Sequence, residues 1–394
     1  MLSIYKEEMV WNTVKDKIAT LFQLPAISQW TYQQFSQSIP VMEKKGYLAK
    51  NDQSLHLLNS KNSYLIGFTS GTSGTLKRCL YQMSGDVYNV KECEEYNIFS
   101  STDTCANLFT INLLFSAHCL FSNVASACGA NIISIGDFNV LASEHFDALI
   151  DVNTNVLIGI PCEIIQFIQV MQKKEKLLAI NKVIFAGEAL KAYQREIIRN
   201  TFGNDVHIIG AYACSEAGII AFSLGEDNNS YELLTNQFFI ERDQDRLLIT
   251  SLDNMNVIPL LRYNLGDSAD ISLKGNIIRL TNIKRNNISF NFMGYIIEYE
   301  TIVAVVHKFH PADISIQIHL SVAKDTREVI TVWVPTGIFS PQQIKLLEKE
   351  LTEIPEIYES KQLNQGYLVV KEVDPIQYIR SVRGKILYIV DNRD

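Results

Sequence analysis

Residues 64–78 read YLIGFTSGTSGTLKR. The apolar run Tyr64–Phe68 predicts a buried strand. It leads into Thr69, Ser70, Gly71, Thr72, Ser73, Gly74 and Thr75, all of them Thr, Ser or Gly, and Lys77 and Arg78 close the stretch. Glycine lets a backbone approach a ligand and adopt positive φ. Hydroxyls and free N–H groups at such a turn suit a polyphosphate, with Lys77 as counter-charge. A flexible linker has similar composition, but it would not be led in by an apolar strand and closed by cations. The P-loop pattern G-x-x-x-x-G-K-S/T fails on spacing. No Gly-Lys-Ser/Thr follows Gly71 or Gly74, and Arg78 stands where a metal-binding hydroxyl is required.

A chain of 394 residues predicts two or three domains. With 47% hydrophobic and 20% charged residues it has the composition of a folded globular protein. A net charge of −8 gives no reason to expect a nucleic-acid partner. The opening MLSIYKEEMVW has no basic stretch followed by an apolar one, so no signal peptide is expected. The most apolar region, 106–136, is broken by Asn112, Ser116, His118, Ser122, Asn123 and Gly129. It reads as strand, helix and strand in a core, not as a membrane span. Seven cysteines without a C-x-x-C pair argue against a disulfide framework and a zinc site, and a cytoplasmic location is expected.

Residues 1–60 read as mostly helical, with Val10, Val14, Ile18 and Leu21-Phe22 on one apolar face. A short strand is predicted over 78–83, and Ser84 caps a helix predicted to run through Asn97. From 106 to 212, apolar runs at 131–135, 156–160, 183–186 and 206–209 alternate with helical segments such as 162–173 and 190–200. That alternation predicts an α/β fold with a parallel sheet and crossover helices. Short strands and turns over 218–297 suggest a small antiparallel or barrel-like subdomain. The last hundred residues read as a separate α+β unit, with helices near 298–307 and 341–351 and strands near 314–320 and 329–334.

Three further stretches carry chemistry. Tyr212-Ala213-Cys214-Ser215-Glu216 puts an aromatic, a hydroxyl and a carboxylate after the last parallel strand, where open α/β sheets bind ligands. In Arg262-Tyr263-Asn264-Leu265-Gly266-Asp267, a carboxylate after a glycine turn can accept two bonds from ribose hydroxyls. Arg383-Gly384-Lys385-Ile386, with Arg380 nearby, lies close to the chain end and by itself reads as a solvated turn.

Together these stretches resemble the adenylate-forming superfamily of acyl- and aryl-CoA ligases, carrier-protein adenylation domains and luciferases. The loop matches that family's phosphate loop from Thr69 to Lys77, with Leu76 where proline is usual. Tyr212–Glu216 resembles Tyr-Gly-x-Ser/Thr-Glu, with Ala213 for the glycine. Gly187-Glu188-Ala189-Leu190 resembles Gly-Glu-x-Leu, and Arg262–Asp267 resembles Arg-Tyr-x-Thr/Leu-Gly-Asp. Arg285 falls at the ribose-contacting arginine, Asn287 at the interdomain hinge, and Gly294 in the loop that lines the thiol tunnel. The resemblance runs from 64 to 387. The short region before the loop is closest to the compact phenylacetate-CoA ligase-like branch and to short siderophore aryl-acid enzymes.

The resemblance implies a large domain, 1–286, that binds ATP and acid, and a mobile C-terminal domain, 287–394. It implies acyl-AMP formation with release of pyrophosphate, then transfer to the thiol of CoA or of a carrier-protein phosphopantetheine, with Mg²⁺ as cofactor. By the same resemblance the loop holds the β and γ phosphates, and Tyr212 stacks on adenine against Gly187 and Glu188. Ser215 meets the α-phosphate, Glu216 holds Mg²⁺, Asp267 and Arg285 hold ribose, and Lys385 bridges carboxylate and α-phosphate. Residues 113–118 contain no carboxylate to pair an α-ammonium, so an aryl or acyl acid is expected. Phe115, His118, Gly187 and Cys214 are the expected pocket residues. His118 either bonds a ring hydroxyl of the acid or is a satisfied core histidine. Leu76, Ala213, Lys284 and Asn287 depart from the pattern and keep open a nucleotide-binding regulatory or scaffold protein. Transfer to a non-thiol acceptor is also open.

Overall fold

The computed structural model describes residues 3–4, 6–52, 54–58, 62–70, 76–82, 90–111, 116–187, 189–223, 230–253, 256–285, 289–310, 314–379 and 387–393. Its centre is a ten-stranded mixed sheet. Five strands run parallel in the spatial order Asn131–Ser134, Thr104–Asn107, Val156–Gly159, Lys182–Ala186 and His207–Cys214. Crossover helices connect them, among them Ala117–Ala127, Pro161–Lys173 and Ala192–Phe202. Successive side chains of a strand face opposite sides of the sheet. Accordingly Val156, Ile158, Ile184 and Ala186 enter one core, and Leu157, Val183 and Phe185 enter the other. Both faces are covered, which is why these strands read as unbroken apolar runs.

From His207–Cys214 onward the sheet continues antiparallel through Gly218–Ser223, Ser230–Leu233, Ile277–Arg285 and Asp267–Lys274. The antiparallel strands expected over 218–297 are present, but they do not all form one small subdomain. Four of those strands extend the main sheet, because local alternation signals a strand without naming its partner. A distinct three-stranded sheet is formed by Phe238–Asp243, Arg246–Ser251 and Tyr263–Asn264.

Tyr64–Ser70 is a strand, as predicted, but it is not buried. It pairs with Leu76–Gln82 in a two-stranded ribbon in which Ile66 is 44% exposed. Residues 71–75 connect the two strands and lie outside the described residues. A strand, not a helix, follows the loop, which separates it from the strand–loop–helix of a P-loop. Several contacts fix the ribbon, two of them near its turn and its middle. Asn51 brackets the Arg78 backbone, its Nδ2 donating to Arg78 O at 2.7 Å. A Cβ on Gly67 would lie 2.4 Å from Ser116 Cβ, so only glycine lets the ribbon seat on the helix that begins at Ala117. The helix predicted over 84–97 is observed as Val90–Glu95, and 83–89 lie outside the described residues.

The C-terminal part has its own four-stranded sheet, Gly366–Val373, Glu328–Pro335, Gln317–Val322 and Ile389–Asp391. Helices Tyr299–Phe309, Pro341–Thr352 and Pro355–Gln362 accompany it. Its core includes Phe292, Ile302, Ile318, Val332, Leu347 and Ile357, with Cys162 reaching in from the larger part. The last of those helices and strand Gly366–Val373 were not anticipated from sequence.

Candidate active site

The C-terminal ends of four parallel strands open onto one cavity of about 440 Å³. Phe109 and Thr110 follow Thr104–Asn107, Ile160 follows Val156–Gly159, Gly187 follows Lys182–Ala186, and Ser215 and Glu216 follow His207–Cys214. An open α/β sheet binds ligands in this crevice, because diverging loops leave free backbone groups there. The opposite wall comes from the C-terminal part: Met293, Gly294, Tyr295, Ile296, Glu298 and Gln365.

Three tyrosines fix the polar edge. Tyr81, on the ribbon, donates its hydroxyl to Ser215 O at 2.6 Å. Tyr263 donates to Glu216 Oε1 at 2.6 Å, and Tyr212 donates to Asp267 Oδ2 at 2.6 Å. Burial, reinforced by Glu216, pushes the Tyr263 phenol far up, so it stays a proton donor to that carboxylate. Arg262, the neighbour of Tyr263 in the same motif, is buried and turned away. Its guanidinium bonds Glu241 Oε1 at 3.1 Å and the carbonyls of Ser36 and Ile39, both at 2.6 Å, which anchors the N-terminal helices.

Where the two parts meet, Gly294 has φ +84 and faces Ile160, whose Cδ1 would lie 2.7 Å from a Cβ at that position. Beside it, Glu163 is buried in the first turn of helix Pro161–Lys173. Glu163 Oε1 accepts from Thr110 Oγ1 at 2.8 Å and from Gln365 Nε2 at 3.4 Å. Burial pushes its carboxyl up to about 7, against the downward pull of hydrogen bonds from Thr110, the Ile160 backbone and Gln365.

A family model described as AMP-binding enzyme matches residues 9–236. The chain belongs to the AMP-binding enzyme family. Indoleacetate–lysine synthetase of Pseudomonas savastanoi is 39% identical over 399 residues, covering 100% of both chains. Among solved structures, a 2-hydroxyisobutyryl-CoA ligase in its thioesterification state has a TM-score of 0.66 at 13% identity, covering 98% of this chain and 87% of its own. The same ligase in a postadenylation state has a TM-score of 0.54 at 13% identity. The Vibrio cholerae adenylation domain AlmE scores 0.54 at 14% identity, covering 84% of this chain and 66% of its own. This AMP-binding enzyme is therefore an adenylate-forming ligase.

Of the residues singled out in the sequence, Gly187, Cys214, Ser215 and Glu216 line the cavity of this AMP-binding enzyme. Tyr212 and Asp267 meet each other beside it, and Asp267 stands directly across the strand ladder from Arg285. Thr69, Ser70 and Lys77 flank the ribbon turn. Gly71–Gly74, Phe115, Glu188, Asn287 and Lys385 lie outside the described residues. His118 is not in the cavity lining. It is buried, with Nδ1 bonded to Phe109 O at 2.9 Å and Nε2 to Ser134 Oγ at 3.0 Å. Both ring nitrogens are used within the fold, so the core alternative holds and the ring-hydroxyl contact is withdrawn. Glu163, Thr110 and Gln365 were missed, since nothing in their local sequence marks them. Tyr263 lay unremarked within a motif already quoted.

Members of this family use ATP and typically Mg²⁺. Glu216 fits such an ion: Mg²⁺ is usually held by one or two carboxylates together with substrate phosphates. No three-ligand His, Cys, Asp or Glu cluster occurs among the described residues. Among the same residues no helix is long and apolar enough to cross a membrane.

Proposed function

We propose that this ligase activates an aryl-bearing carboxylic acid with ATP and transfers the acyl group to an amine. The observation that carries this reading is the collinear, full-length 39% identity to a synthetase named for indoleacetate and lysine. The cavity supports it in two ways. Phe109, Leu120, Phe121 and Tyr81 give it an aromatic and aliphatic side suited to an aryl group. Glu43, Glu163 and Glu298, against Lys44, give its other described walls a negative balance. That balance favours a cationic amine over polyanionic CoA. The thiol acceptor inferred from resemblance gives way to an amine on this ground.

In the first half-reaction the acid carboxylate attacks the α-phosphorus of ATP and pyrophosphate leaves. Positioning and countercharge lower the barrier. Thr69–Gly74 and Lys77 hold the β and γ phosphates. Tyr212, with Gly187 and Glu188, holds the adenine, and Asp267 and Arg285 hold the ribose. Ser215 meets the α-phosphate, and Lys385 bridges it to the carboxylate. Glu216, kept in place by Tyr263, holds Mg²⁺, which when bound neutralises charge on the phosphates. Phe115 and Cys214 border the acid. In the second half-reaction the C-terminal domain, 287–394, turns about Asn287 and brings the Gly294 loop against Ile160, as in the present arrangement.

Pyrophosphate release from a panel of aryl and aliphatic acids, followed by mass spectrometry with lysine, CoA or a phosphopantetheinylated carrier protein, tests the proposal. An aryl acid and lysine should give an amide. Thioester without amide would overturn the acceptor. No pyrophosphate with any acid would favour a regulatory nucleotide-binding role.

A further inference from the structure

We infer that Glu163 is the proton acceptor for the amine during acyl transfer, oriented by Thr110 and Gln365. This rests on the amine-acceptor reading. Glu163 is 2% exposed yet borders the cavity, and Thr110 and Gln365 border it as well. The three side chains come from separate segments: a loop after one parallel strand, the first turn of a helix after another, and the C-terminal part. Their convergence exists only while that part packs where Gly294 meets Ile160. The second oxygen, Oε2, takes the Ile160 backbone N–H at 3.5 Å. Thr110 and Gln365, which hold Oε1, both line the cavity.

The other carboxylates of the lining are committed or less enclosed. Glu216 is bonded by Tyr263, Glu43 is exposed and paired with Arg246 at 3.1 Å, and Glu298 is only half-buried. Among the described residues no Lys or Arg lies within ion-pair distance of Glu163. Titratable groups close to it include Cys162, its helix neighbour, and Tyr295 from the facing strand, whose phenol in turn bonds Glu359.

The chemistry requires such a group. An alkylamine enters as an ammonium and must lose one proton before its lone pair can attack the acyl carbon. The C–N bond then forms and the bond from acyl carbon to the AMP phosphate oxygen breaks, its electron pair leaving on that oxygen. AMP departs without taking a proton at neutral pH, so nitrogen must shed a second proton to give the amide. A carboxylate in the cavity wall can take the first of these and release it to solvent; the second, by then on a far more acidic nitrogen, can pass directly to water. Its raised proton affinity suits work near neutral pH.

The test uses the full chain in single turnovers from synthetic indoleacetyl-AMP, comparing lysine with hydroxylamine, which is already neutral at pH 7. General-base catalysis contributes on the order of 10²–10⁴. Glu163→Gln should therefore slow lysine transfer about 100-fold or more. Hydroxylamine transfer, which also reports that the site is folded, should change by less than about threefold. Glu163→Asp should restore part of the lysine rate. The wild-type lysine rate should rise with pH and level off above about 7, whereas in Glu163→Gln it should keep rising with the free-amine fraction. An unchanged ratio of lysine to hydroxylamine rates, or equal loss of both, would overturn the role of Glu163 alone. Thioester from CoA with no wild-type amide would overturn the amine reading and this inference together.

Discussion

Replacing Gly294 by alanine should separate the two half-reactions. The residue has φ +84, and a Cβ there would stand 2.7 Å from Ile160 Cδ1, 3.5 Å from Cγ2 and 3.6 Å from Cγ1. Holding a non-glycine residue in that backbone region costs ~1–3 kcal/mol. Cδ1 ends a flexible side chain, so relief by an off-rotamer shift costs a further ~0.5–1.5 kcal/mol. The sum, ~1.5–4.5 kcal/mol, corresponds to roughly a 10- to 2,000-fold slower step at 1.36 kcal/mol per tenfold. The contact part exists only while Gly294 faces Ile160, the arrangement assigned to acyl transfer. Single-turnover transfer from pre-made acyl-AMP should slow by at least the contact part, about 2- to 13-fold, and by no more than the full factor, whereas pyrophosphate release in acyl-AMP formation should change little. Adding Ile160→Val removes Cδ1 and should recover the contact part, about 2- to 13-fold. It should leave the backbone part in place. Equal loss in both half-reactions, or no recovery in the double variant, would refute the reasoning that this apposition belongs to transfer.

Lys385→Ala should nearly abolish acyl-AMP formation, on the order of 100- to 1,000-fold for a transition-state contact, while transfer from synthetic acyl-AMP stays near wild type in single-turnover assays. Glu216→Gln should cut pyrophosphate release strongly and weaken its Mg²⁺ dependence in a metal titration. Tyr263→Phe should cost less, because it removes one charge-assisted bond of about 1.5–3 kcal/mol and leaves the carboxylate in place. Folding stability should also respond to pH through Glu163. Its carboxyl is raised from 4.5 to about 7, so the folded state holds the proton more tightly than the unfolded one. Its contribution is present below pH 4.5 and lost as pH rises to about 7. Urea melts at pH 5 and pH 8 should show Glu163→Gln gaining stability relative to wild type at the higher pH.

The sequence by itself determined the family and the nucleotide chemistry. The residues proposed to hold the nucleotide sit in short contiguous stretches. Thr69–Lys77, Tyr212–Glu216 and Arg262–Asp267 could therefore be read as units, and the alternation of apolar runs with helices announced the sheet that carries them. Periodicity over a few residues also found strand Tyr64–Ser70. It could not tell that the strand lies in an open ribbon, since exposure depends on what packs against it.

Tertiary structure decided everything that required distant segments to meet. Strand partners over 218–285 are a matter of long-range register, so the strands were found but their division between the main sheet and a smaller one was not. His118 looked available until the fold brought Phe109 O and Ser134 Oγ to its two nitrogens. Thr110, Glu163 and Gln365 form one polar cluster although 53 residues separate the first two and 202 the last two. Residues that far apart carry no local pattern of apolar spacing or turn chemistry. Only packing of the C-terminal part against the strand ends makes a buried carboxylate out of an ordinary helix-start glutamate.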